Sequence, residues 1–451
     1  MKALFGSAAQ PHRSRFRWVV IGLVFVIYTV AAADRANIGV ALPFIRKEFA
    51  MSNTEAGALL SFFLLAYALA QLPSGWLIGR FGVRRIFSWS MVLTSVCTGL
   101  IGTSASIFAL KSYRFGLGIA EGPLPIGISS TINNWFPPQE KGTAAGIFLS
   151  AVKFGPVIVP PLCTAIVAIW GWREIFYFFA IPGVLLSLVW YWLVTDRPAD
   201  SRRCNAEEVA YIRGTVHRES PDTTAPATRH VPRQSKALDR LIRARQVKPL
   251  ASNAQVFRSW NVLGCALGYC FQLGISSVLL AWIPTYLLTV KKLSVMNMGW
   301  VAATPWIGAV LGNLLGGLMS DRLFSKRRKP GMMISALATA GTMYALIHSP
   351  TEPLALGALL FMTGVLLSIG FSAYMAYPMA LTTRETLPMA SAVVNMGGQL
   401  GGAVTPLATG MLLDSHGWGH VFLSMAISSM FSFLLLLSID EPLAEETARR
   451  L

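Results

Sequence analysis

The chain has 451 residues, of which 54% are hydrophobic and 13% are charged, and its mean hydropathy is +0.54. An ordinary soluble domain is about 45–50% apolar and about 25% charged. A disordered chain and a nucleic-acid-binding protein are excluded, despite the net charge of +17, because nucleic-acid binders are rich in charge overall and carry it on an exposed face. A chain that is both basic and apolar is typical of a protein embedded in a lipid bilayer.

Twelve segments are apolar and long enough, at about 20 residues, to cross a bilayer. The first has the basic lead and small-residue stretch of a signal peptide, but its apolar pattern continues past Asp34 and Arg35, which favours an uncleaved span. The predicted spans are residues 18–44, 54–78, 86–107, 110–134, 142–169, 174–194, 258–288, 296–320, 332–349, 353–380, 388–413 and 418–438.

The basic residues predict the topology. Of the 38 Lys and Arg, 29 fall on one side of the twelve-span scheme, together with both termini, and six fall on the other. The positive-inside rule therefore predicts that both termini are cytoplasmic. The predicted organisation is a cytoplasmic N-terminus (1–17), a six-helix bundle (18–194), a cytoplasmic linker (195–257), a second six-helix bundle (258–438) and a cytoplasmic C-terminus (439–451).

A similar polar turn follows span 2 in the first half and span 8 in the second, about 242 residues apart. Such a repeat indicates a duplicated transporter. Glycine allows two helices to approach closely, and arginines hold the turn at the cytoplasmic lipid surface. We expect these turns to control gating through Gly75, Arg80, Gly82, Arg84 and Arg85 in the first copy and Asp321 and Arg322 in the second.

This turn resembles the Gly-x-x-x-Asp-Arg-x-Gly-Arg-Arg motif of the major facilitator superfamily. The resemblance implies an all-α membrane fold of twelve transmembrane helices in two six-helix halves. Gly79 occupies the acidic position of the first copy, whereas Asp321 keeps it in the second. This departure puts in doubt a strong gating ion pair in the first half.

Further motifs resemble the anion:cation symporter family of organic-anion permeases, which includes galactonate, hexuronate, glucarate and phthalate permeases. The resemblance covers essentially the whole chain and implies a multi-pass protein of the bacterial inner membrane. The matching stretches are Asp34-Arg35-x-Asn37-Ile-Gly39, Tyr67-Ala-Leu-x-Gln71-x-Pro73-x-Gly75-Trp76, Arg114-x-x-x-Gly118-x-x-Glu121-Gly122, Trp135-Phe136-Pro137, Glu140-Lys141-Gly142, Trp282-x-Pro284-Thr-Tyr286 and Asn395-x-Gly397-Gly398-Gln399.

Five ionisable residues lie within the predicted spans: Asp34, Arg35, Arg114, Glu121 and Lys153. Charges at membrane depth are costly and usually mark substrate or proton pathways. We expect Arg35 to face the cavity and bind the substrate carboxylate, because its planar guanidinium suits that group. Asp34 is expected to point toward span 4 near Arg114, and Asp34, Glu121 and Arg114 form the predicted proton-coupling set.

Each of these residues also has a structural interpretation. Asp34 and Arg114 could form a static pair between spans 1 and 4, Glu121 could serve packing alone, and Lys153 could pair with Glu121. Lys153 does not belong to the family pattern, so we expect it to tune substrate choice. The predicted substrate-binding residues are Arg35, Tyr67, Lys153, Tyr269, Gln272, Asn395 and Gln399, although such polar groups often serve only interhelical hydrogen bonds.

The leading hypothesis is a monomeric, proton-coupled symporter that imports a small organic carboxylate by alternating access. An aromatic or dicarboxylic acid such as phthalate, or a sugar acid, fits the resemblance. The alternatives are a drug or cation:proton antiporter, which would favour a more acidic cavity, and a membrane sensor without transport. An enzyme is not expected, because no nucleophile set or phosphate loop is present. The six histidines and five cysteines indicate neither a metal site nor a cofactor.

Overall fold

The structure is a computed structural model that describes residues 14–137, 139–213, 242–324, 327–383 and 385–442, apart from the side chains of residues 72, 321 and 322. The ends of the predicted termini and the middle of the predicted linker lie outside the described residues. The long helices are α1 (Phe16–Glu48), α2 (Asn53–Phe81), α3 (Val83–Gly102), α4 (Ile107–Glu121), α5 (Pro123–Trp135), α6 (Lys141–Ile169) and α7 (Trp172–Leu193), then α10 (Trp260–Thr289), α11 (Val295–Leu318), α12 (Lys329–Ile347), α13 (Pro353–Ile369), α14 (Phe371–Leu381), α15 (Leu387–Ser415) and α16 (Trp418–Ser438). Between the halves lie α8 (Ala206–Ile212) and α9 (Asn253–Arg258), and the short strands β1 (Ala244–Arg245) and β2 (Glu441–Pro442) pair in parallel.

Ten helical stretches in the described part of the chain are long and apolar enough to cross a membrane. The two other predicted spans, 4 and 11, are also helical, but one is interrupted and the other is less apolar. Span 4 consists of α4 and α5, because Pro123 begins a new helix directly after Gly122. Span 11 is α15, whose 29 residues include many glycines that lower its hydropathy.

Glycines allow helices to pack backbone against backbone in this fold. On α11, the Cα atoms of Gly308, Gly312 and Gly316 face the backbone carbonyls of α13, and a Cβ at each position would lie 2.1–2.2 Å from a carbonyl oxygen. Small residues at four-residue spacing are the usual means of close helix contact in membranes. The four-residue spacing of these glycines therefore allows α11 and α13 to pack in direct backbone contact.

The two halves touch closely on the side of the membrane opposite the start of α1. Gly57 of α2 faces the carbonyl of Pro406 in α15, and Gly39 of α1 faces that of Leu280 in α10. Toward the start of α1, a Cβ at Gly75 or Gly79 of α2 would meet no described atom within 4 Å. The close backbone contacts between the halves therefore lie on the side away from the start of α1.

The segment after α7 is anchored to the first half by buried charges. Arg17, at the start of α1, lies 2.7 Å from Glu140 and 2.8 Å from Glu208 of α8. Ser14 donates a hydrogen bond of 2.6 Å to Glu208. Burial alone would raise the pKa of Glu208, but the hydrogen bonds from Ser14, Arg17 and Phe16 lower it below its usual range. The first part of the predicted linker is therefore packed against the N-terminal bundle.

Candidate functional site

Arg35 and Glu121 form an ion pair in the middle of the first half. The Nη2 and Nε atoms of Arg35 lie 3.0 and 3.1 Å from the same oxygen, Oε2 of Glu121. The Glu121 side chain is fully buried, whereas the Arg35 side chain is 19% exposed. The other oxygen of Glu121, Oε1, has no described hydrogen-bond partner. The guanidinium of Arg35 therefore binds a carboxylate that is fully removed from water, while part of the Arg35 side chain itself remains accessible.

Local backbone features hold Glu121 in place. A Cβ at Gly118 would lie 2.4 Å from the carbonyl oxygen of Phe63, and one at Gly122 would lie 2.6 Å from Ala70, so α4 packs directly on α2. Glu121 is the last residue of α4, immediately before the Gly122–Pro123 break. The helix break fixes this carboxylate beside α1 and α2.

Aromatic rings surround the guanidinium of Arg35. Its Cζ lies 4.5 Å from the ring centroid of Tyr67 and 5.9 Å from those of Tyr28 and Phe63. Such cation–π contacts stabilise a charge that is partly removed from water. The sequence-predicted residues Arg35 and Tyr67 thus lie together.

Asp34 and Arg114 are neighbours, as expected, but the Asp34 carboxylate does not point toward span 4. Arg114 Nη1 donates to the backbone carbonyl of Asp34 over 3.2 Å, and no ion pair joins the two side chains in the described structure. The Asp34 carboxylate instead accepts from Asn37 at 3.1 Å and lines a small cavity with Thr94 and Ser95 of α3. The physical reason is helical geometry, since the backbone of α1 faces α4 at a point where the Asp34 side chain is directed toward α3.

Lys153 of α6 lies at the boundary between the halves and does not pair with Glu121. Its Nζ lies 4.6 Å from the ring centroid of Phe371 in α14 and 5.7 Å from that of Trp306 in α11. The ion pairs of the described residues do not include it. Sequence reasoning missed both rings, because an aromatic residue in an apolar span carries no signal of its own.

The second half contributes fewer polar groups to the central space than the sequence predicts. Gln272 is fully buried and donates to Ser429 of α16 over 2.9 Å, so its amide is directed into the second bundle. Tyr269 contacts the ring of Phe371 edge-on at 5.8 Å. Asn395 and Gln399 are half-buried, and the described residues form no side-chain hydrogen bond with them. Tyr269 and Lys153 therefore contact the same ring, that of Phe371, whereas the amide of Gln272 lies outside the candidate site.

Comparison with known proteins identifies the family. The family model described as Major Facilitator Superfamily matches residues 24–299 and 292–450. This chain belongs to the major facilitator superfamily. It is 28% identical over 442 residues to the probable galactarate/D-glucarate transporter GarP of Escherichia coli K12, covering 94% of each chain. It is 29% identical over 413 residues to the probable L-galactonate transporter of the same strain, covering 89% of this chain and 84% of that protein.

These relatives match the anion:cation symporter type within the superfamily, as the motifs predict. The fold is similar to that of a bacterial homologue of the human lysosomal transporter Spinster, in its inward-facing and occupied conformation. The TM-score is 0.73 at 17% identity, over 94% of this chain and 97% of that one. The predicted twelve-helix major facilitator fold is confirmed, and the protein is a transporter rather than an enzyme.

The superfamily turn between α2 and α3 differs from the expected arrangement. Gly82 has φ +84°, and a Cβ there would lie 2.5 Å from Oδ2 of Asp196. Asp196, which follows α7, accepts from the backbone N–H of Arg84 over 2.8 Å. The acid at this turn therefore comes from the end of the first half, where Gly79 leaves the motif without one.

Of the other predicted gating residues, Arg80 and Arg85 form no ion pair with a described residue. Arg80 lies over the rings of Trp76 and Phe81, and Arg85 is exposed. In the second copy, the side chains of Asp321 and Arg322 lie outside the described residues, although their backbone forms part of a π-helical turn at Met319–Leu323.

The second half repeats the arrangement seen at Asp196. Glu441, directly after α16, accepts from the backbone N–H groups of Arg328 and Lys329 at the start of α12, over 2.9 and 2.8 Å. The acid of each half interacts favourably with a helix N-terminus. Sequence reasoning missed this pair, because the similar runs Thr195-Asp-Arg-Pro and Ile439-Asp-Glu-Pro match Asp196 with Asp440, whereas the acceptor in the second half is the following residue, Glu441.

Proposed function

We propose that this protein is a proton-coupled symporter that moves a small organic carboxylate across the bacterial inner membrane by alternating access. The candidate substrates are aromatic or dicarboxylic acids such as phthalate, and sugar acids like those in the names of its relatives. The observation that carries the proposal is the Arg35–Glu121 pair, in which a partly exposed guanidinium is bound to a fully buried carboxylate.

The pair couples a proton to an anion through competition for Arg35. While Glu121 is ionised, its Oε2 occupies the Nε and Nη2 donors of Arg35. A proton on Glu121, which the unpartnered Oε1 can hold, removes the charge that attracts the guanidinium. Arg35 is then free to bind a substrate carboxylate in the bidentate manner typical of arginine. Substrate and proton thereby favour each other's binding, as symport requires.

Asp34 and Arg114 complete the proposed coupling set. Both are buried within the first half, and Arg114 joins α4 to α1 through the Asp34 carbonyl. Asp34 lies outside the Arg35–Glu121 contact, so we assign it a second protonation site that stabilises the packing of α1 on α3. Tyr67, Lys153, Tyr269, Asn395 and Gln399 remain proposed substrate contacts.

The proposed orientation places both termini and the linker in the cytoplasm, with the protein acting as a monomer. The unequal distribution of Lys and Arg supports this orientation. In that orientation the close backbone contacts between the halves lie on the side opposite the cytoplasm. A C-terminal green fluorescent protein fusion tests the orientation, because it fluoresces only when the C-terminus is cytoplasmic.

The proposed activity can be tested in liposomes that contain a trapped pH-sensitive dye. Phthalate, D-glucarate and D-galactonate are each added outside, without a sodium gradient, and both acid uptake and internal pH are recorded. We expect at least one acid to enter together with protons. Uptake without acidification, or only with a sodium gradient, would overturn proton coupling.

The variant Glu121→Gln separates coupling from binding. We expect it to abolish acidification and gradient-driven uptake, while exchange of internal for external substrate continues. Glu55→Gln is a matched control, because Glu55 is a surface carboxylate of the α2 capping box. Equal loss of uptake and exchange in Glu121→Gln would instead assign that residue a packing role.

A further inference from the structure

Four of the five ionisable residues within the predicted spans balance in charge. Asp34 and Glu121 offset Arg35 and Arg114 in number, whereas no described carboxylate forms an ion pair with Lys153. An unpaired ammonium group at membrane depth is costly. Lys153 lies twelve residues into the 29-residue helix α6, or about 18 Å from its start at 1.5 Å per residue, which places it near mid-membrane.

The partners of Lys153 are two aromatic rings of the opposite half. Phe371 lies 4.6 Å and Trp306 5.7 Å from Nζ, measured to the ring centroids. A cation–π contact stabilises an ammonium group less than a carboxylate does. The two rings therefore hold the charge without neutralising it, and an anion that reaches Lys153 gains a stronger contact.

The second half presents hydrogen-bond donors and rings around Lys153, but no acid. No described residue accepts a hydrogen bond from the indole N–H of Trp306 or the hydroxyl of Tyr269. Acidic residues within positions 258–438 are few and lie at the ends of helices or in turns: Asp321, Glu352, Glu385 and Asp414. The surface formed by Lys153, Trp306 and Phe371 therefore suits a ligand in which an anionic group is attached to a flat, apolar ring.

Arg35 and Lys153 are distinct anion-binding points. A Cβ at Gly155 of α6 would lie 2.8 Å from Cβ of Ala32 in α1, which fixes the register of the two helices. Both helices run in the same direction through the predicted topology. Arg35 follows Ala32 by three residues and Lys153 precedes Gly155 by two, so their Cα atoms differ in depth by about 7–8 Å. Arg35 also contacts rings of the first half, and Lys153 rings of the second.

We propose that Lys153, Trp306 and Phe371 form a second anion subsite, and that the substrate is an aromatic dicarboxylate. One carboxylate binds Arg35, the other binds Lys153, and the ring between them packs against Trp306 and Phe371. The inference rests on the proposed symport of an organic anion and specifies its substrate class. A polyhydroxylated sugar acid suits this surface less well. Its hydroxyl groups need polar partners, and the amide of Gln272, a predicted substrate contact, is directed into the second bundle instead.

The test compares matched pairs of acids on the purified, full-length protein in nanodiscs. Terephthalate and phthalate are compared with benzoate, and D-glucarate with D-gluconate, by isothermal titration calorimetry. We expect a benzene dicarboxylate to bind about tenfold to a hundredfold more tightly than benzoate, the usual effect of one charged hydrogen-bond contact. It should also bind more tightly than D-glucarate.

Three variants assign this preference to the subsite. Lys153→Gln should weaken the benzene dicarboxylate more than benzoate and so remove the advantage of the dicarboxylate, whereas Lys153→Arg should retain it. Phe371→Leu should weaken aromatic acids more than D-glucarate. Lys111→Gln, on α4, is the control for loss of a lysine. Thermal unfolding of each variant confirms that it is folded.

Several outcomes would overturn the subsite. Equal affinity for benzoate and both benzene dicarboxylates, tighter binding of D-glucarate, or an unchanged preference in Lys153→Gln would each do so. Proton-coupled uptake of a monocarboxylate, with no uptake of either benzene dicarboxylate, would reject the dicarboxylate inference while supporting the proposed function. Acid uptake without proton movement would reject the coupling, and the affinity comparison would still decide the subsite.

Discussion

Arg35 Nη2 lies 3.0 Å from Glu121 Oε2, and this contact joins residues that are 86 positions apart on α1 and α4. The Nε and Nη2 atoms of Arg35 both donate to the same oxygen of Glu121, Oε2. The guanidinium therefore binds only one end of this carboxylate. A substrate carboxylate that takes the place of Glu121 can use both of its oxygens. The geometry thus favours exchange of one anion for another.

The shape of the Arg35 side chain should therefore matter as well as its charge. We expect Arg35→Lys to weaken substrate binding by about tenfold to a hundredfold, because an ammonium group cannot form the bidentate contact. Arg173→Lys is the control, since Arg173 pairs with Glu48 on the surface, where ion pairs contribute little. Calorimetry with the best-bound acid measures the effect. Wild-type affinity in Arg35→Lys would show that only charge is required.

The turn between α2 and α3 offers a matched pair of glycine substitutions. Gly82→Ala should destabilise the protein by about 1–2 kcal/mol or more, because its φ of +84° disfavours a side chain and the new Cβ would meet Asp196. Gly79→Ala should be neutral or slightly stabilising, since its Cβ would meet no described atom within 4 Å. Thermal unfolding in nanodiscs compares the two. Equal effects would contradict the assigned role of Gly82.

Asp414 joins the two halves on the side where their backbones lie in close contact, opposite the start of α1. We call this the closed side. Its carboxylate accepts from the backbone and side chains of Asn53 and Thr54 at the start of α2, over 2.7–3.0 Å. Loss of these contacts in Asp414→Ala should open the closed side and raise the population of the opposite conformation by about tenfold, equivalent to 1.4 kcal/mol. Ser52→Ala removes a cap from the same helix end without affecting the contact between halves.

Maleimide labelling of Leu64→Cys measures this opening, because Leu64 lies near Gly402 of the other half. If Leu64→Cys is labelled at the same rate in the Asp414→Ala protein as in the Ser52→Ala control, the Asp414 contacts do not hold the two halves together. The same proteins without the added cysteine correct for the native thiols.

The sequence predicts the helices and the charged residues of the site better than their contacts. The apolar runs locate the spans, and the cost of charge in a bilayer directs attention to Arg35, Glu121 and Lys153. Contacts between helices depend on rotation and depth, which a one-dimensional pattern does not specify. For that reason the sequence predicts neither the direction of the Asp34 carboxylate toward α3 nor that of the Gln272 amide into the second bundle, and it gives no signal for the rings of Trp306 and Phe371 beside Lys153.

The buried cluster at the start of α1 should make stability depend on acid pH. The pKa of Glu208 lies below its ordinary value of 4.5 in the folded protein. A carboxyl group with a depressed pKa contributes stability above its unfolded pKa and loses that contribution as the pH falls through the folded value. Wild-type protein should therefore lose thermal stability below about pH 4.5 more steeply than Glu208→Gln, which should be the less stable of the two at pH 7.

Glu207→Gln, one residue earlier on α8, is the control. Melting temperatures recorded from pH 3 to pH 7 test this, and parallel curves for wild type and Glu208→Gln would contradict a stabilising role for the ionised pair with Arg17.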